Sequence, residues 1–121
     1  MKKKIYVVTG SRAEYGLLKN LINKFKNDKD IKLKIFVTGM HLSPTFGNTY
    51  KEIIKDGFVV DKKIKILSCS DTPKYILKST GSGIIKFASL FDVDKPDLLV
   101  VLGDRYEIMS ATIAAYFNQI P

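Results

Sequence analysis

Hydrophobic and polar positions follow two different periods along the chain, and each change of period marks the end of one predicted element. Short runs of β-branched and aromatic residues are typical of buried strands, whereas apolar residues three and four positions apart predict amphipathic helices. The predicted strands are "KIYVVT" at 4–9, "IKLKIFVTG" at 31–39, "FVVDKKIKIL" at 58–67 and "PDLLVVLG" at 96–103. The predicted helices cover 14–27, 50–55, 74–91 and 104–119.

Strands and helices alternate along the whole chain, and the connections between them are short. This pattern predicts an α/β fold, in which a Rossmann-like parallel sheet carries helices on both faces. The lysines of the third strand favour an edge position, and a strand order of 3-2-1-4 would place the ligand crevice between the first and fourth strands. Because the sequence stops where a further strand would begin, residues 1–121 are predicted to be the first part of a larger domain.

The formal net charge of +8 changes this picture little. The lysines are spread along the chain and form no basic block, which favours attraction of small phosphorylated ligands over nucleic-acid binding. No apolar run approaches the ~20 residues of a membrane span, and the "MKKK" start leads into a strand, so we expect a cytoplasmic protein. The single cysteine, Cys69, excludes an internal disulfide and a thiolate zinc site, and is predicted to fill a small apolar space.

Two turns at the carboxyl edge of the predicted sheet carry the candidate chemistry. They are "TGSRAEYG" after the first strand and "GDRYE" after the fourth, and each places an arginine at the start of a helix. Free N–H groups at a helix N-terminus suit phosphate, so Gly10 and Ser11 are candidate contacts beside the guanidinium of Arg12. Arg12 and Arg105 would face one another across the crevice and together hold a diphosphate.

Helix capping is the alternative explanation for both turns. Ser11 and Glu14 match a capping box, and Asp104 and Glu107 form a similar pair. The shared position of the two turns at one sheet edge favours the ligand interpretation. Neither G-x-x-x-x-G-K-[ST] nor G-x-G-x-x-G occurs after the first strand, so neither ATP hydrolysis nor a classical NAD site is supported.

Four further features leave alternatives open at this point. His41, the only histidine, is either a structural hydrogen-bonding group or a catalyst, and a metal role is disfavoured. Burial after an apolar strand would raise the pKa of Asp104, whereas a capping position would lower it. The segment "STGSGI" at 79–84 resembles a phosphate loop but lies in a helical pattern, which favours close packing of that helix on the sheet. Tyr15 is interpreted as a core residue rather than a base-stacking one.

Three segments together resemble the hydrolysing UDP-N-acetylglucosamine 2-epimerases. They are "TGSRAEYG", "TGMHLSPTFGNTYKEI" at 38–53 and "PDLLVVLGDRYEIMSATIAA" at 96–115. The resemblance is to the sialic-acid branch, which includes UDP-N,N'-diacetylbacillosamine 2-epimerases. Non-hydrolysing relatives carry a catalytic lysine where this chain has Leu17, which also favours the hydrolysing branch.

The resemblance implies a site as well as an architecture. It implies two Rossmann-like domains in the arrangement of GT-B glycosyltransferases, with the UDP-sugar between them and residues 1–121 forming the front of the first domain. Arg12 and Arg105 would contact UDP, Asp104 would take part in catalysis, and His41 would be an active-site residue. Gly16 stands where this branch often carries a serine contact to UDP. An acid-rich segment and the second domain are expected beyond residue 121.

The implied reaction is an elimination followed by hydration. A base removes the proton at carbon 2 of the sugar while UDP leaves from carbon 1, and water then adds to give a free N-acetylmannosamine-type sugar for sialic or legionaminic acid biosynthesis. No cofactor or metal is expected, and the full-length enzyme would be a dimer or tetramer of identical chains. A GT-B glycosyltransferase and a non-catalytic nucleotide-binding α/β module are the alternatives.

Overall fold

The computed structural model describes residues 1–66 and 71–121, so the predicted role of Cys69 lies outside the described residues. The elements are β1 (Lys3–Thr9), α1 (Arg12–Asn27), β2 (Ile31–Thr38), α2 (Tyr50–Lys55), β3 (Lys62–Ile64), α3 (Pro73–Val93), β4 (Leu98–Val100) and α4 (Tyr106–Phe117). Two short 3₁₀ turns, Gly39–Leu42 and Pro44–Phe46, connect β2 to α2. Within the described ranges, none of the helices is long and apolar enough to cross a membrane.

The four strands form one parallel sheet in the order β3-β2-β1-β4. This confirms the predicted α/β fold, and it is the strand order for which a ligand crevice was expected between the first and fourth strands. In the register of the sheet, Val7 lies between Ile35 on β2 and Val100 on β4. The turns after β1 and β4 therefore leave adjacent strands at the same edge.

The third strand is shorter than predicted because a side chain replaces part of its ladder. The backbone N–H of Asp61 donates to the Ile35 carbonyl at 2.8 Å, and the Asp61 carboxylate accepts the Ile35 N–H at 2.7 Å. A single residue thus satisfies both polar groups of Ile35, and regular pairing begins only at Lys62.

Alternate side chains of the central strands enter two separate cores. Tyr6 and Val8 of β1 and Phe36 of β2 pack on the face covered by α3 and α4. Val7 and Ile35 pack on the opposite face, against α1 and α2. Because fully burying one large apolar side chain contributes about 1.5–3 kcal/mol, these two cores fix the backbone from which the edge turns extend.

The glycine-containing segment 79–84 lies inside α3, which confirms that it is helical rather than a phosphate loop. A Cβ on Gly83 would lie 2.8 Å from both the Ser110 Oγ of α4 and the Ile66 Cδ1. The Ser110 hydroxyl donates to the Thr80 carbonyl at 2.9 Å. Close packing is therefore the role of this segment, although its partner is mainly α4 and not the sheet.

An ion-pair cluster closes the amino edge of the sheet. The Asp94 carboxylate accepts bonds from Lys34 at 2.5 Å and from Lys4 at 3.1 Å. These partners, Lys34 foremost, hold the pKa of Asp94 well below its ordinary value. The cluster ties the end of α3 to β1 and β2, at the edge remote from the candidate site.

Candidate functional site

Three glycines mark the carboxyl edge of the sheet. Gly10 directly follows β1, Gly39 directly follows β2, and Gly103 lies three residues after β4. Gly39 and Gly103 have φ angles of 58° and 99°, a region that side chains other than glycine rarely adopt. Each of the three glycines lies against a buried carboxylate, either Glu14 or Glu107.

The turn after β1 is capped as the sequence predicts, with one difference. Ser11 is the N-cap of α1, and its hydroxyl accepts the Glu14 N–H at 3.3 Å. The Glu14 carboxylate turns back to accept the N–H of Gly10 at 2.7 Å, whereas a standard capping box would use the N–H of the N-cap residue. The turn thus closes on itself through the residue before the cap.

The Glu14 carboxylate is buried, with only 7% of the residue exposed. Among the described residues its Oε2 atom has no hydrogen-bond partner, and a Cβ on Gly103 would collide with it. Burial is the main cause of a raised pKa at Glu14, and the neighbouring charge of Glu107 acts in the same direction. The first and fourth strand ends therefore meet around one carboxylate.

The turn after β4 differs from its prediction. Arg105, not Asp104, is the N-cap residue of α4, and its side chain makes no capping hydrogen bond. Asp104 itself is exposed, so it is neither a desolvated carboxylate nor the capping partner of Glu107, the two alternatives that the sequence left open. The positive φ of Gly103 turns the chain before Asp104 and leaves this carboxylate on the surface of the edge.

Glu107 instead binds Arg105, two residues before it. The Arg105 Nε donates to both carboxylate oxygens at 3.1 and 3.0 Å, and Nη2 donates to Oε1 at 2.9 Å. The carboxylate side chain is 1% exposed, whereas the arginine side chain is 38% exposed. Hydrogen bonding to Glu107 raises the pKa of Arg105, so the guanidinium stays charged.

The guanidinium of Arg12 lies in a more exposed environment than that of Arg105. Its Nε donates to the Glu52 carboxylate of α2 at 2.8 Å, and the two side chains are 72% and 46% exposed. Exposed pairs of this kind contribute about 0–1 kcal/mol. Arg12 is therefore weakly held and is available to another anion.

The two arginines are not brought together as predicted. Arg105 borders a cavity of about 490 Å³ formed by the loop after β2, the end of β3 and the start of α4. Arg12 borders a separate, wider cleft of about 820 Å³ between α1 and α2. The prediction that both guanidinium groups face one another over one crevice is thus wrong for the chain by itself, because each arginine is turned toward a different acid.

His41 is fully buried, and both of its ring nitrogens are bonded. Nε2 lies 3.0 Å from the Thr9 hydroxyl, and Nδ1 lies 2.9 Å from the Thr49 hydroxyl. The Thr9 hydroxyl donates to the Ser11 carbonyl at 3.3 Å, so its oxygen must accept from Nε2–H, and Nδ1 then accepts from Thr49. Burial lowers the pKa of His41 to about 4, which leaves the ring neutral at physiological pH.

The structure thus separates the predicted residues into edge groups and supporting groups. Arg12, Asp104 and Arg105 are accessible at the edge, whereas His41 ties the turn after β1 to the loop after β2. Tyr15 is buried as predicted, and its hydroxyl donates to Asp56 at 2.6 Å. In the described ranges, no three His, Cys, Asp or Glu side chains form a group that could hold a metal ion.

Sequence reasoning assigned capping roles to Glu14 and Glu107 and did not identify them as buried neighbours. The glycine at each of three strand ends was the available signal, because a missing side chain at such a position leaves room for another group. Thr9 and Thr49, the partners of His41, also went unnoticed. They are ordinary polar residues in sequence and acquire their role only through the fold.

Comparison with known proteins agrees with this fold. Residues 23–121 match the family model described as UDP-N-acetylglucosamine 2-epimerase. A UDP-GlcNAc 2-epimerase from Neisseria meningitidis, solved bound to UDP-GlcNAc, aligns with a TM-score of 0.81 and 21% identity, over 98% of this chain and 30% of that one. At that identity the structural likeness shows the fold alone.

Two curated relatives are closer in sequence. The GDP/UDP-N,N'-diacetylbacillosamine 2-epimerase (hydrolyzing) of Campylobacter jejuni is 46% identical over 99% of this chain. The UDP-N,N'-diacetylbacillosamine 2-epimerase (hydrolyzing) of Legionella pneumophila is 38% identical over the whole chain. The chain spans 31% and 32% of the lengths of these two relatives. With a family match that covers most of its residues, the chain belongs to the UDP-N-acetylglucosamine 2-epimerase family.

Proposed function

We propose that the full-length protein is a hydrolysing UDP-sugar 2-epimerase that releases UDP and a free N-acetylmannosamine-type sugar. The observation that carries the proposal is the 46% identity, over nearly the whole chain, to a relative whose name specifies the hydrolysing reaction. A polysialic acid biosynthesis protein of Escherichia coli, 40% identical over 98% of the chain, supports a role in supplying nonulosonic acids.

We further propose that residues 1–121 form the front of the first of two Rossmann-like domains. The short span relative to the curated relatives supports this. So does the path of the backbone after α4, where the Leu99 N–H of β4 donates to the Pro121 carbonyl at 2.8 Å. The chain thus returns to the free side of β4, where a further strand could pair.

Arg105 and Arg12 are the proposed contacts to UDP, together with Gly10 and Ser11 at the start of α1. Their guanidinium groups would stabilise the negative charge that develops on the diphosphate as it leaves, and charge stabilisation of this kind is a major contribution to enzymatic rate. Because the two arginines border different cavities, we expect the substrate or the second domain to draw the weakly held Arg12 toward the diphosphate.

Asp104 is the proposed catalytic group within this chain. Its carboxylate is exposed beside Arg105 at the sheet edge, where it can reach a bound sugar. A base is needed because the proton at carbon 2 is only weakly acidic, and general base catalysis typically contributes 10²–10⁴-fold. For His41 we propose an indirect role, in which the buried neutral ring fixes the loops on either side of the site.

The remaining expectations are proposals for the full-length protein. We propose that it works in the cytoplasm as an assembly of identical subunits, without a cofactor, a metal or a nucleic-acid partner. The dispersed positive charge of this chain, +8 over 121 residues, would favour the approach of a UDP-sugar.

The decisive experiment incubates the full-length protein in D₂O with UDP-GlcNAc or a UDP-diacetamido-trideoxy sugar and no acceptor. The expected products are UDP and a free sugar inverted at carbon 2 that carries solvent deuterium there. Asp104→Asn should lower kcat by about 10²–10⁴-fold, as expected for loss of a general base. Release of UDP only when an acceptor is added, with the sugar transferred to that acceptor, would instead identify a GT-B glycosyltransferase, and binding without turnover a nucleotide-binding module.

A further inference from the structure

Arg105 is held by an acid that sequence reasoning treated as a helix cap. A guanidinium group has five N–H donors in a rigid plane. Nε–H and one Nη2–H bond to Glu107, so within the described part of the chain both N–H groups of Nη1 and the second N–H of Nη2 are left for other acceptors. The arginine side chain borders the cavity of about 490 Å³, where an anion could take those donors.

The orientation of Glu107 is itself fixed by its surroundings. The residue is 1% exposed and lies in the first turn of α4, where the helix dipole favours negative charge. A Cβ on Gly39 would lie 2.6 Å from its Oε1, and a Cβ on Gly10 would lie 3.8 Å from its Oε2. The carboxylate therefore occupies a space that exists because residue 39 lacks a side chain.

The contrast with Arg12 shows what this arrangement provides. Arg12 has one bond to an exposed acid, whereas Arg105 has three contacts with a buried one. Binding an anion with a free arginine requires ordering a long side chain that has high rotamer entropy. A side chain already fixed by a buried carboxylate avoids much of that cost.

The cavity beside Arg105 is lined by charged and polar as well as apolar side chains, which suits a nucleotide-sugar diphosphate better than a purely apolar ligand. Lys65 is a second cation in its wall, Ser43 and Thr45 contribute hydroxyl groups, and Asp71 is an acid in the same lining. The apolar part is formed by Phe46 and Tyr106, among others.

We propose that Glu107 is a positioning residue, which holds Arg105 in one orientation so that its free donors meet a phosphate of the nucleotide sugar. Gly39 is the second part of this device because it leaves the space for the carboxylate. Glu107 itself does not touch the substrate. The inference rests on the proposed function, since it takes the phosphate of a UDP-sugar as the anion.

The test measures UDP binding to the full-length protein by calorimetry, with Glu107→Gln, Arg105→Ala and the double variant. Glu107→Gln keeps the shape of the side chain but removes its charge, and should weaken UDP binding about tenfold, as expected when a charge-assisted bond no longer fixes the arginine. In the Arg105→Ala background the same change should have less than about a twofold effect, because non-additivity is expected where one residue acts through the other.

Two further variants keep the test informative. Glu107→Asp retains a carboxylate near the start of α4 but shortens the side chain by one methylene. It should weaken UDP binding if the orientation of Arg105 matters. This variant keeps the test open if Glu107→Gln does not fold. Asp94→Asn is the matched control, since it removes another paired carboxylate at the opposite edge of the sheet. It should lower the melting temperature and leave UDP affinity unchanged.

The possible failures are distinguishable. Wild-type protein that does not bind UDP would overturn the proposed function. Wild-type binding that Arg105→Ala weakens, but that neither Glu107 variant changes, would overturn the positioning role alone. An equal loss from Glu107→Gln with and without Arg105 would show that Glu107 acts by another route, and would overturn it as well.

Discussion

At the scale of single residues, His41 shows how burial decides what a histidine can do. Its two nitrogens are bonded to Thr9 and Thr49, and no part of the residue is exposed. A ring with a pKa of about 4 is a poor proton carrier near neutral pH, where catalytic histidines usually titrate. The geometry therefore favours a role in holding the loops that carry the accessible groups.

This environment predicts a pH-dependent stability. Between about pH 6.5 and pH 4 the unfolded chain binds a proton at His41 that the folded chain does not, so the free energy of unfolding should fall by up to about 3 kcal/mol as the pH decreases through that window. Urea unfolding over this range measures the effect. His41→Gln should lose this part of the slope, and an unchanged slope would show that the ring is accessible to protons when folded.

Glu14 changes the free energy of unfolding with pH in the opposite direction to His41, over a neighbouring range of pH. Its raised pKa means that the folded chain keeps a proton that the unfolded chain has released, so stability decreases as the pH rises above the ordinary value of 4.5. The contribution of Glu14 cancels when the pH slopes of the wild type and His41→Gln are compared, because Glu14 is present in both proteins. No pattern of residue types could have revealed it, since the raised pKa arises mainly from burial of the Glu14 carboxylate in the fold, with the nearby charge of Glu107 acting in the same direction.

At the scale of elements, the alternation of strands and helices was enough to predict a parallel sheet and the limits of α2, whereas the strand order was only assumed. Apolar periodicity reports which residues face a core, and the two faces of this sheet are both apolar. The ends of β3 and β4 were predicted too long because tertiary bonds decide them. Asp61 takes over the ladder beside β3, and the left-handed Gly103 turns the chain after β4.

Two glycines of α3 provide a matched pair for testing how closely α3 and α4 pack. A Cβ on Gly83 would lie 2.8 Å from Ser110, whereas a Cβ on Gly81 would have no atom of a described residue within 4 Å. Gly83→Ala should therefore destabilise the fold by about 1–3 kcal/mol through overpacking. Gly81→Ala should stabilise it by up to about 1 kcal/mol, since alanine is the better helix former.

Thermal and urea unfolding of both variants measures the difference. Equal effects of the two substitutions would show that helix propensity alone matters, and that α3 and α4 have room to separate.

At the scale of the whole molecule, the sequence predicted correctly that the turns after β1 and β4 share one edge of the sheet, but it could not orient their side chains. The turns after β1 and β4 do leave adjacent strands. Which acid each arginine selects depends on α2 for Arg12, through Glu52, and on the first turn of α4 for Arg105. The distance between two guanidinium groups is thus set by contacts that lie far apart in the sequence.

Residues 1–121, produced separately, are expected to associate with one another. Large apolar side chains on or next to β4 and α4 are exposed, with exposed fractions from 37% to 79%: Leu98, Leu102, Met109, Tyr116 and Phe117. Large exposed apolar surface favours association, so this chain should self-associate with rising concentration in sedimentation experiments.

Residues 1–121 produced separately should also release no detectable sugar from UDP-GlcNAc under conditions in which the full-length protein does, because the relatives that carry the activity in their names are about three times as long. Turnover by the separate chain at a rate comparable to that of the full-length protein would place the complete catalytic site within these residues, and Asp104 would then have to act without an acid from elsewhere.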